Sequence, residues 1–213
     1  MTIHHRFRVA SITKMITATA VMRLIEGGAF ALDTPVTDLL PAEMLPNSAT
    51  DAMTVHHLLS HTSGLANYHD EDDDTFDSYM ACWDVVPPHR AREPHDLLPL
   101  FTDKPARFSP GESFSYGDVN YIVLGMILAE RTSRRFPDVA HTEVLEPAGT
   151  VHSTFDDLDT DPPLLAVGYV ASDQPPDLWP TNTYANAVGG MPDGGLITTA
   201  TDLCAFVEAY RSG

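Results

Sequence analysis

Phe7-Arg8-Val9-Ala10-Ser11-Ile12-Thr13-Lys14 opens a strongly helical segment and sets a hydroxyl and an amine three residues apart. Residues at this spacing share one face of a helix, so the Lys14 amine is expected beside the Ser11 hydroxyl. A desolvated lysine loses its proton readily and can take one from serine, so the pair can form an activated nucleophile. By itself the same spacing also fits an ordinary exposed helical pair.

Length, net charge and cysteine content limit the number of domains and the kinds of partner or metal site to be expected. The chain has 213 residues, which allows one large domain or two small ones, and its apolar fraction of 43% is sufficient for a core. The formal net charge of -18 argues against binding nucleic acid through a basic face. Cys82 and Cys204 show no metal or redox spacing, so both are expected to be reduced or simply buried.

No apolar run approaches the roughly 18 residues that span a bilayer, so no membrane segment is expected. The residues before Ser11 contain no apolar core of a signal peptide. A cytoplasmic location is therefore the default expectation, although a missing N-terminus could hide an export signal.

Hydrophobic periodicity predicts three clear helices, over residues 12–28, 119–133 and from 199 onward. Weaker helical patterns cover residues 54–60, 95–102 and 136–146. Ser11 falls near the N-cap of the first helix, where serine's own capping preference is an alternative explanation for its presence. Strand signals are scarce, and residues 166–170 carry the best one.

Two groups of polar residues resemble metal sites without completing one. The acidic run over residues 70–74 lacks the glycine and distal glutamate of a calcium loop, so it is expected to be a solvated loop. His57 and His61 stand four apart, but no third ligand is evident, which favours packing and capping roles. We therefore predict no metal.

Five stretches, in order along nearly the whole chain, resemble the β-lactamase-related serine hydrolases, a superfamily of class C β-lactamases, DD-peptidases and related carboxylesterases. They cover residues 7–14, 58–65, 110–121, 146–149 and 194–203. The resemblance implies an α+β fold, with the helical part dominant here, and a single β-lactamase-like domain over residues 1–213. It also implies a small-molecule ester, amide or β-lactam substrate and no cofactor; the oligomeric state stays open.

The resemblance assigns roles to three residues. Ser11 matches the acylated nucleophile, Lys14 matches its general base or proton-relay partner, and Tyr116 matches the tyrosine that passes a proton toward the leaving group. The turn over residues 61–65 matches a structural mark of the family and receives no chemical role. An acyl transfer needs such a base and acid near the serine oxygen.

One departure from the family pattern concerns substrate binding. The asparagine of the family's Tyr-x-Asn motif is Asp118 here. A carboxylate beside Lys14 raises the pKa of the lysine, which weakens it as a base and moves proton acceptance toward Tyr116. An ionised aspartate also cannot donate a hydrogen bond to a substrate carbonyl, so Asp118 as a substrate-binding residue favours an esterase-like enzyme over a true β-lactamase.

The second departure concerns the sheet. In the family, strands precede the Ser-x-x-Lys helix and follow the last helix, and one of them carries a Lys-Thr-Gly or His-x-Gly motif and an oxyanion-hole amide. We find no such strand, so the antiparallel sheet is expected to be largely missing at both ends. Two hypotheses follow: a serine hydrolase that forms an acyl-enzyme on Ser11, or an inactive remnant or binding module of the same family.

Overall fold

The structure is a computed structural model that describes residues 1–69, 79–170 and 180–212. Its strands are β1 (Phe7–Arg8) and β2 (Ile197–Thr198), which pair antiparallel with Phe7 opposite Thr198. Its helices are α1 (Thr13–Glu26), α2 (Val55–Leu59), α3 (Cys82–Val85), α4 (Asp118–Thr132), α5 (Phe136–Ala140) and α6 (Ala200–Ser212). Short 3-10 turns lie between them, and a π-helical turn over His141–Leu145 continues α5.

The predicted α+β class with a dominant helical part is confirmed, because the described residues hold these helices around one sheet of two short strands. The predicted helices over 12–28, 119–133 and from 199 onward correspond to α1, α4 and α6. The weaker patterns become α2, a 3-10 helix over Pro94–Leu100, and α5 with its π-helical turn.

Helix α4 lies at the centre of the core. Residues 119–128 are all buried, and a helix that is buried on every side must be covered by its neighbours. Ile16 and Ala20 of α1 belong to the same core as α4, and the two helices pack together. Gly125 of α4 leaves room for the Pro192 ring, since a Cβ there would lie 2.4 Å from Pro192 Cγ. The loop that contains Pro192 is therefore held directly against α4.

The first turn around Ser11 differs from the predicted cap. Helix α1 begins at Thr13 with Ile12 as its N-cap, and Ser11 lies in the preceding 3-10 turn, Ala10–Ile12. No side chain caps this end of the helix by a hydrogen bond. The Ser11 hydroxyl is consequently not used for capping.

The strand prediction for residues 166–170 is wrong. The segment forms isolated bridges, from Leu165 to Arg6 and from Tyr169 to Thr181, instead of a strand. Val167 is 54% exposed and Tyr169 is 60% exposed, so the segment buries neither of these side chains. Residues with a high strand propensity form a sheet only where one face of the strand packs against other parts of the protein.

Two further expectations concern the acidic run and membrane-spanning segments. The acidic run over residues 70–74 lies outside the described residues. Among the helices of the described residues, none combines the length and the apolar character that crossing a bilayer requires.

Candidate active site

Three residues predicted from the sequence meet at the start of α1. The Lys14 ammonium donates a hydrogen bond to Ser11 Oγ over 2.9 Å, as their spacing predicts. Tyr116, from the loop before α4, brings its hydroxyl within 2.9 Å of the same oxygen. The Lys14 Nζ atom also lies 5.1 Å from the centre of the Tyr116 ring. The fold thus gathers an amine and a phenol around one serine hydroxyl.

Lys14 is 6% exposed, and two further acceptors surround its amine. Asp118 Oδ1, in the first turn of α4, lies 2.5 Å from Nζ, and the Asp193 carbonyl accepts a hydrogen bond at 3.0 Å. Burial opposes the charge on the amine, but the Asp118 and Asp193 carboxylates outweigh it and raise the pKa of Lys14. Lys14 is therefore held as a charged ammonium in the resting site.

Asp118 connects Lys14 to a histidine that the sequence motifs did not indicate. Its second oxygen, Oδ2, lies 3.2 Å from His69 Nε2, and the Asp118 side chain is only 14% exposed. Burial opposes ionisation, yet the hydrogen bond from His69 and the Lys14 charge lower the pKa of Asp118. Both Asp118 oxygens are thus engaged in a chain that runs from His69 through Asp118 and Lys14 to Ser11.

The turn over residues 61–65 supports Tyr116. The His61 ring lies 4.6 Å from the Tyr116 ring and 5.2 Å from the Tyr121 ring, centre to centre. The Gly117 amide donates to His61 Nδ1 at 3.3 Å, and burial and the Lys14 charge lower the pKa of His61. Ser63 Oγ donates to Asn120 Oδ1 of α4 at 2.5 Å. His61 therefore packs against the tyrosine without reaching Ser11.

The other candidate metal ligand also has a structural role. His57 Nδ1 lies 3.2 Å from the Thr54 backbone nitrogen, so the imidazole closes a capping box at the start of α2. Across the described ranges, no three His, Cys, Asp or Glu side chains are grouped so that they could hold a metal ion.

Side chains of α1 hold the loop over residues 191–195 beside Lys14. Thr17 Oγ1 donates to the Pro192 carbonyl at 2.6 Å, and the Leu196 amide donates to Thr13 Oγ1 at 3.0 Å. The Asp193 side chain accepts a hydrogen bond from the Tyr68 hydroxyl at 3.0 Å. These bonds place a second carboxyl group within the electrostatic reach of Lys14 and Asp118.

Asp193 is 7% exposed, and its ionisation is disfavoured. Burial and the Asp118 charge raise the pKa of Asp193 to about 7, although Lys14 and the Tyr68 hydrogen bond oppose the shift. The fold therefore carries a carboxyl group that changes its charge near neutral pH. Burial and the nearby carboxylates likewise raise the pKa of Tyr68, which keeps its hydroxyl a donor.

Asp193→Asn is expected to stabilise the protein at pH 8 and to change its stability little at pH 5. Because the folded pKa lies above the unfolded value, the wild type loses stability as the pH rises from about 4 to 7, and the neutral amide removes this loss, worth roughly 1–3 kcal/mol. Urea unfolding of both proteins at the two pH values measures the difference. Asp33→Asn makes the same change of charge at an exposed site. An Asp193→Asn gain equal at both pH values would contradict the expectation.

A cavity of about 200 Å³ opens beside Ser11. Its wall includes Asp118 and Asp193, the aromatic residues Tyr79 and Trp83, and the backbone of residues 189–191 and 194–195. Ala10, immediately before Ser11, has a φ of 45°. A non-glycine residue in this region is strained, and such strain persists only where the surroundings impose it. The nucleophile candidate therefore stands on a constrained turn at the mouth of a cavity.

Several residues of this site carry no clear signal in the sequence. Asp193 directly precedes the Gly194-Gly195 pair of a recognised motif, so its position was a usable hint. Tyr68 and His69 lie in a loop with no periodicity, and nothing in the chain indicates that they reach α4. Only the folded chain brings them beside Asp118 and Asp193.

Residues 1–213 match the protein-family model described as Beta-lactamase. Esterase EstB of Burkholderia gladioli is 32% identical over 165 residues, which are 76% of this chain and 41% of the esterase. Penicillin-binding protein 4* of Bacillus subtilis is 26% identical over 214 residues, 95% of this chain and 44% of that protein. The chain thus spans less than half the length of either relative.

Among solved structures, a penicillin-binding protein from Bacillus halodurans superposes with a TM-score of 0.90 at 34% identity, over 99% of this chain and 62% of that one. A penicillin-binding protein homologue from Pyrococcus abyssi superposes with a TM-score of 0.78 at 26% identity, over 99% of this chain and 46% of that one. The predicted β-lactamase and DD-peptidase type of fold is confirmed.

Proposed function

Residues 1–213 belong to the beta-lactamase family of hydrolases, and from this premise we propose that the protein is a serine hydrolase that forms an acyl-enzyme on Ser11. The observation that carries the proposal is the meeting of Lys14 Nζ and the Tyr116 hydroxyl at Ser11 Oγ, each at 2.9 Å. The substrate is an ester, an amide or a β-lactam. We also propose that residues 1–213 form one domain.

In the proposed reaction Tyr116 acts as the phenolate: Ser11 Oγ attacks the substrate carbonyl carbon, and its proton passes to the phenolate oxygen. The tyrosine then returns the proton to the leaving alcohol or amine as the acyl carbon–heteroatom bond breaks. A water molecule repeats the attack on the acyl-enzyme and frees the acid. Lys14, held charged by Asp118, stabilises the Tyr116 phenolate before the step and the negative charge that develops on Oγ as its proton leaves.

An ester is the substrate class that the site supports best. Asp118 lines the cavity, and as a carboxylate it accepts hydrogen bonds but donates none to a substrate carbonyl. It remains the proposed substrate-binding residue, able to accept from a substrate N–H or O–H group. An ester carries a better leaving group than an amide and depends less on a second polarising donor. The resemblance to an esterase over most of this chain agrees with this choice.

The proposal is tested by labelling with a fluorescent fluorophosphonate and, separately, with a fluorescent penicillin, followed by peptide mapping of the modified residue. We expect the fluorophosphonate on Ser11, and faster turnover of p-nitrophenyl butyrate than of a chromogenic cephalosporin. Faster cephalosporin turnover would favour a β-lactamase. No modification of Ser11 by either probe would support the alternative, an inactive remnant or a binding module with the same geometry.

Asp118→Asn tests how the proton moves. Removal of the carboxylate lowers the pKa of Lys14, because its main stabilising charge is lost while its burial remains. Lys14 can then lose its proton and serve as the base beside Ser11, so we expect the midpoint of the rising limb of the kcat/KM profile to move by at least about one pH unit toward lower pH. Asp33→Asn, at an exposed position, controls for the change in net charge. Superimposable profiles would dismiss the coupling between Asp118 and the base.

A further inference from the structure

Arg8 stands three residues before Ser11 and lines two cavities, the one beside Ser11 and one of about 660 Å³ whose wall includes residues 161–168. It is the second residue of β1, and side chains alternate along a strand, so Arg8 shares its face with Arg6. Arg6 on that face reaches Asp156, which also lines the cavity. The wall of the cavity includes Arg8 together with Ser11. Arg8 and the nucleophile candidate Ser11 thus both line one space of about 200 Å³.

The Arg8 side chain is half-buried, and it has no ionic partner among the residues that the structure describes. Within residues 1–69, 79–170 and 180–212, no hydrogen bond or salt bridge involves its side chain. Burial lowers the pKa of Arg8, and Tyr79 supplies no counter-charge near neutral pH, because burial raises its own pKa. A buried cation without a partner is costly, whereas the neighbouring Arg6 and Lys14 are both paired with carboxylates.

The carboxyl groups of the cavity are already engaged. Asp118 is bound by Lys14 and His69, and Asp156 is bound by Arg6. Asp193 accepts from the Tyr68 hydroxyl and is only partly ionised at neutral pH. Counted over the described part of the chain, the cationic charge left unbalanced at the cavity is therefore that of Arg8, and an anion entering with the substrate would pair with it.

We propose that Arg8 binds a carboxylate of the substrate, so that the preferred substrates are esters that carry a free carboxylate group. The proposal rests on the proposed function and names its substrate class. A guanidinium binds a carboxylate through two parallel hydrogen bonds. Three aspartates line the same cavity, so a singly charged carboxylate suits it better than a doubly charged phosphate.

The test compares pairs of esters that differ only in one charge. For the acyl side, 4-nitrophenyl hemiglutarate is compared with its methyl ester, and for the leaving-group side, 3-acetoxybenzoate is compared with methyl 3-acetoxybenzoate. We expect the charged member of one pair to have the higher kcat/KM. Arg8→Gln is expected to reduce that preference about 10- to 100-fold, the usual size of a hydrogen bond to a charged group. The pair that responds identifies the side of the substrate that Arg8 binds.

Arg23→Gln is the matched control, because it removes the same charge from an exposed position on α1 and should leave the preference unchanged. Arg8→Lys keeps the charge but loses the two-pronged geometry, so an intermediate preference is expected. Urea unfolding checks that the variants fold. Ser11-dependent hydrolysis with no preference in either pair, or a preference that survives Arg8→Gln, overturns the carboxylate site and leaves the proposed function standing.

A binding measurement tests the carboxylate site at Arg8 independently of catalytic turnover. If no ester is hydrolysed in a Ser11-dependent way, the proposed function fails, and Arg8 is then judged by NMR titration with millimolar monomethyl glutarate against dimethyl glutarate. Saturable shifts with the charged compound only, lost in Arg8→Gln, would support the carboxylate site in a binding module. Equal responses to both compounds would overturn it.

Discussion

Ser11→Ala is expected to lower kcat for p-nitrophenyl butyrate by about 10⁴- to 10⁶-fold, the loss found when a serine nucleophile is removed. The reason is geometric: Lys14 and Tyr116 both direct their polar atoms at the Ser11 oxygen, so its deletion leaves them with no group to activate. Burst and steady-state kinetics, with intact-protein mass spectrometry for the acyl adduct, measure the effect.

Ser109→Ala is the matched control for this substitution. Ser109 is exposed, and the same deletion of one hydroxyl there is expected to leave turnover and labelling at the wild-type level. Thermal unfolding should show that Ser11→Ala folds, since the Ser11 hydroxyl bonds only Lys14 and Tyr116 within the described ranges. Retention of more than about a tenth of the wild-type kcat in Ser11→Ala would exclude Ser11 as the nucleophile.

Lys14→Met is expected to destabilise the fold by about 3–5 kcal/mol, because it leaves the Asp118 carboxylate buried with its nearest cation removed. The side chains of the two residues are only 7% and 14% exposed, so solvent cannot replace the lost ammonium. Urea unfolding at pH 7 measures the change. Turnover should fall as well, since the amine next to Ser11 is gone.

The double variant Lys14→Met/Asp118→Asn separates a lost charge pair from lost packing. Replacing both members of a buried pair by neutral groups of similar shape is often nearly neutral for stability, so the second change should recover most of the loss. A double-mutant cycle gives the coupling between the two side chains. Equal destabilisation of the single and double variants would mean that packing around the lysine stem, not the ion pair, maintains this region.

The stabilisation by the pair depends on pH in a defined window. The raised pKa of Lys14 means that its contribution is complete below the unfolded value of about 10.4 and is lost as the pH rises through the folded value. The lowered pKa of Asp118 means that its contribution is present above about 3.9 and is lost as the pH falls through the folded value. The difference between wild type and the double variant should therefore be greatest between about pH 4 and pH 10.

Helices were predictable where one face repeats with a helical period. Ile16 and Ala20 of α1 and Ile122 and Met126 of α4 follow that repeat and are buried as expected. The two short strands were not predictable. Each has only two residues, which is too short to show a periodic pattern, and their pairing joins segments about 190 residues apart. The strand prediction for residues 166–170 failed for a different reason: these residue types favour strands, but Val167 and Tyr169 have no neighbouring surface that buries them.

The sequence by itself determined the pairing of Ser11 with Lys14, because residues three apart at a helix start must face the same way. Only the tertiary structure decided that Tyr116 approaches from 105 positions away, that Asp118 is shared between Lys14 and His69, and that Asp193 is buried beside them. It also decided that Arg8 faces the cavity without a partner among the described residues. The spacing of two residues in the sequence fixes their relative position only within one helical turn. The other contacts join distant parts of the chain, so they depend on how α1 packs against α4 and against the neighbouring loops.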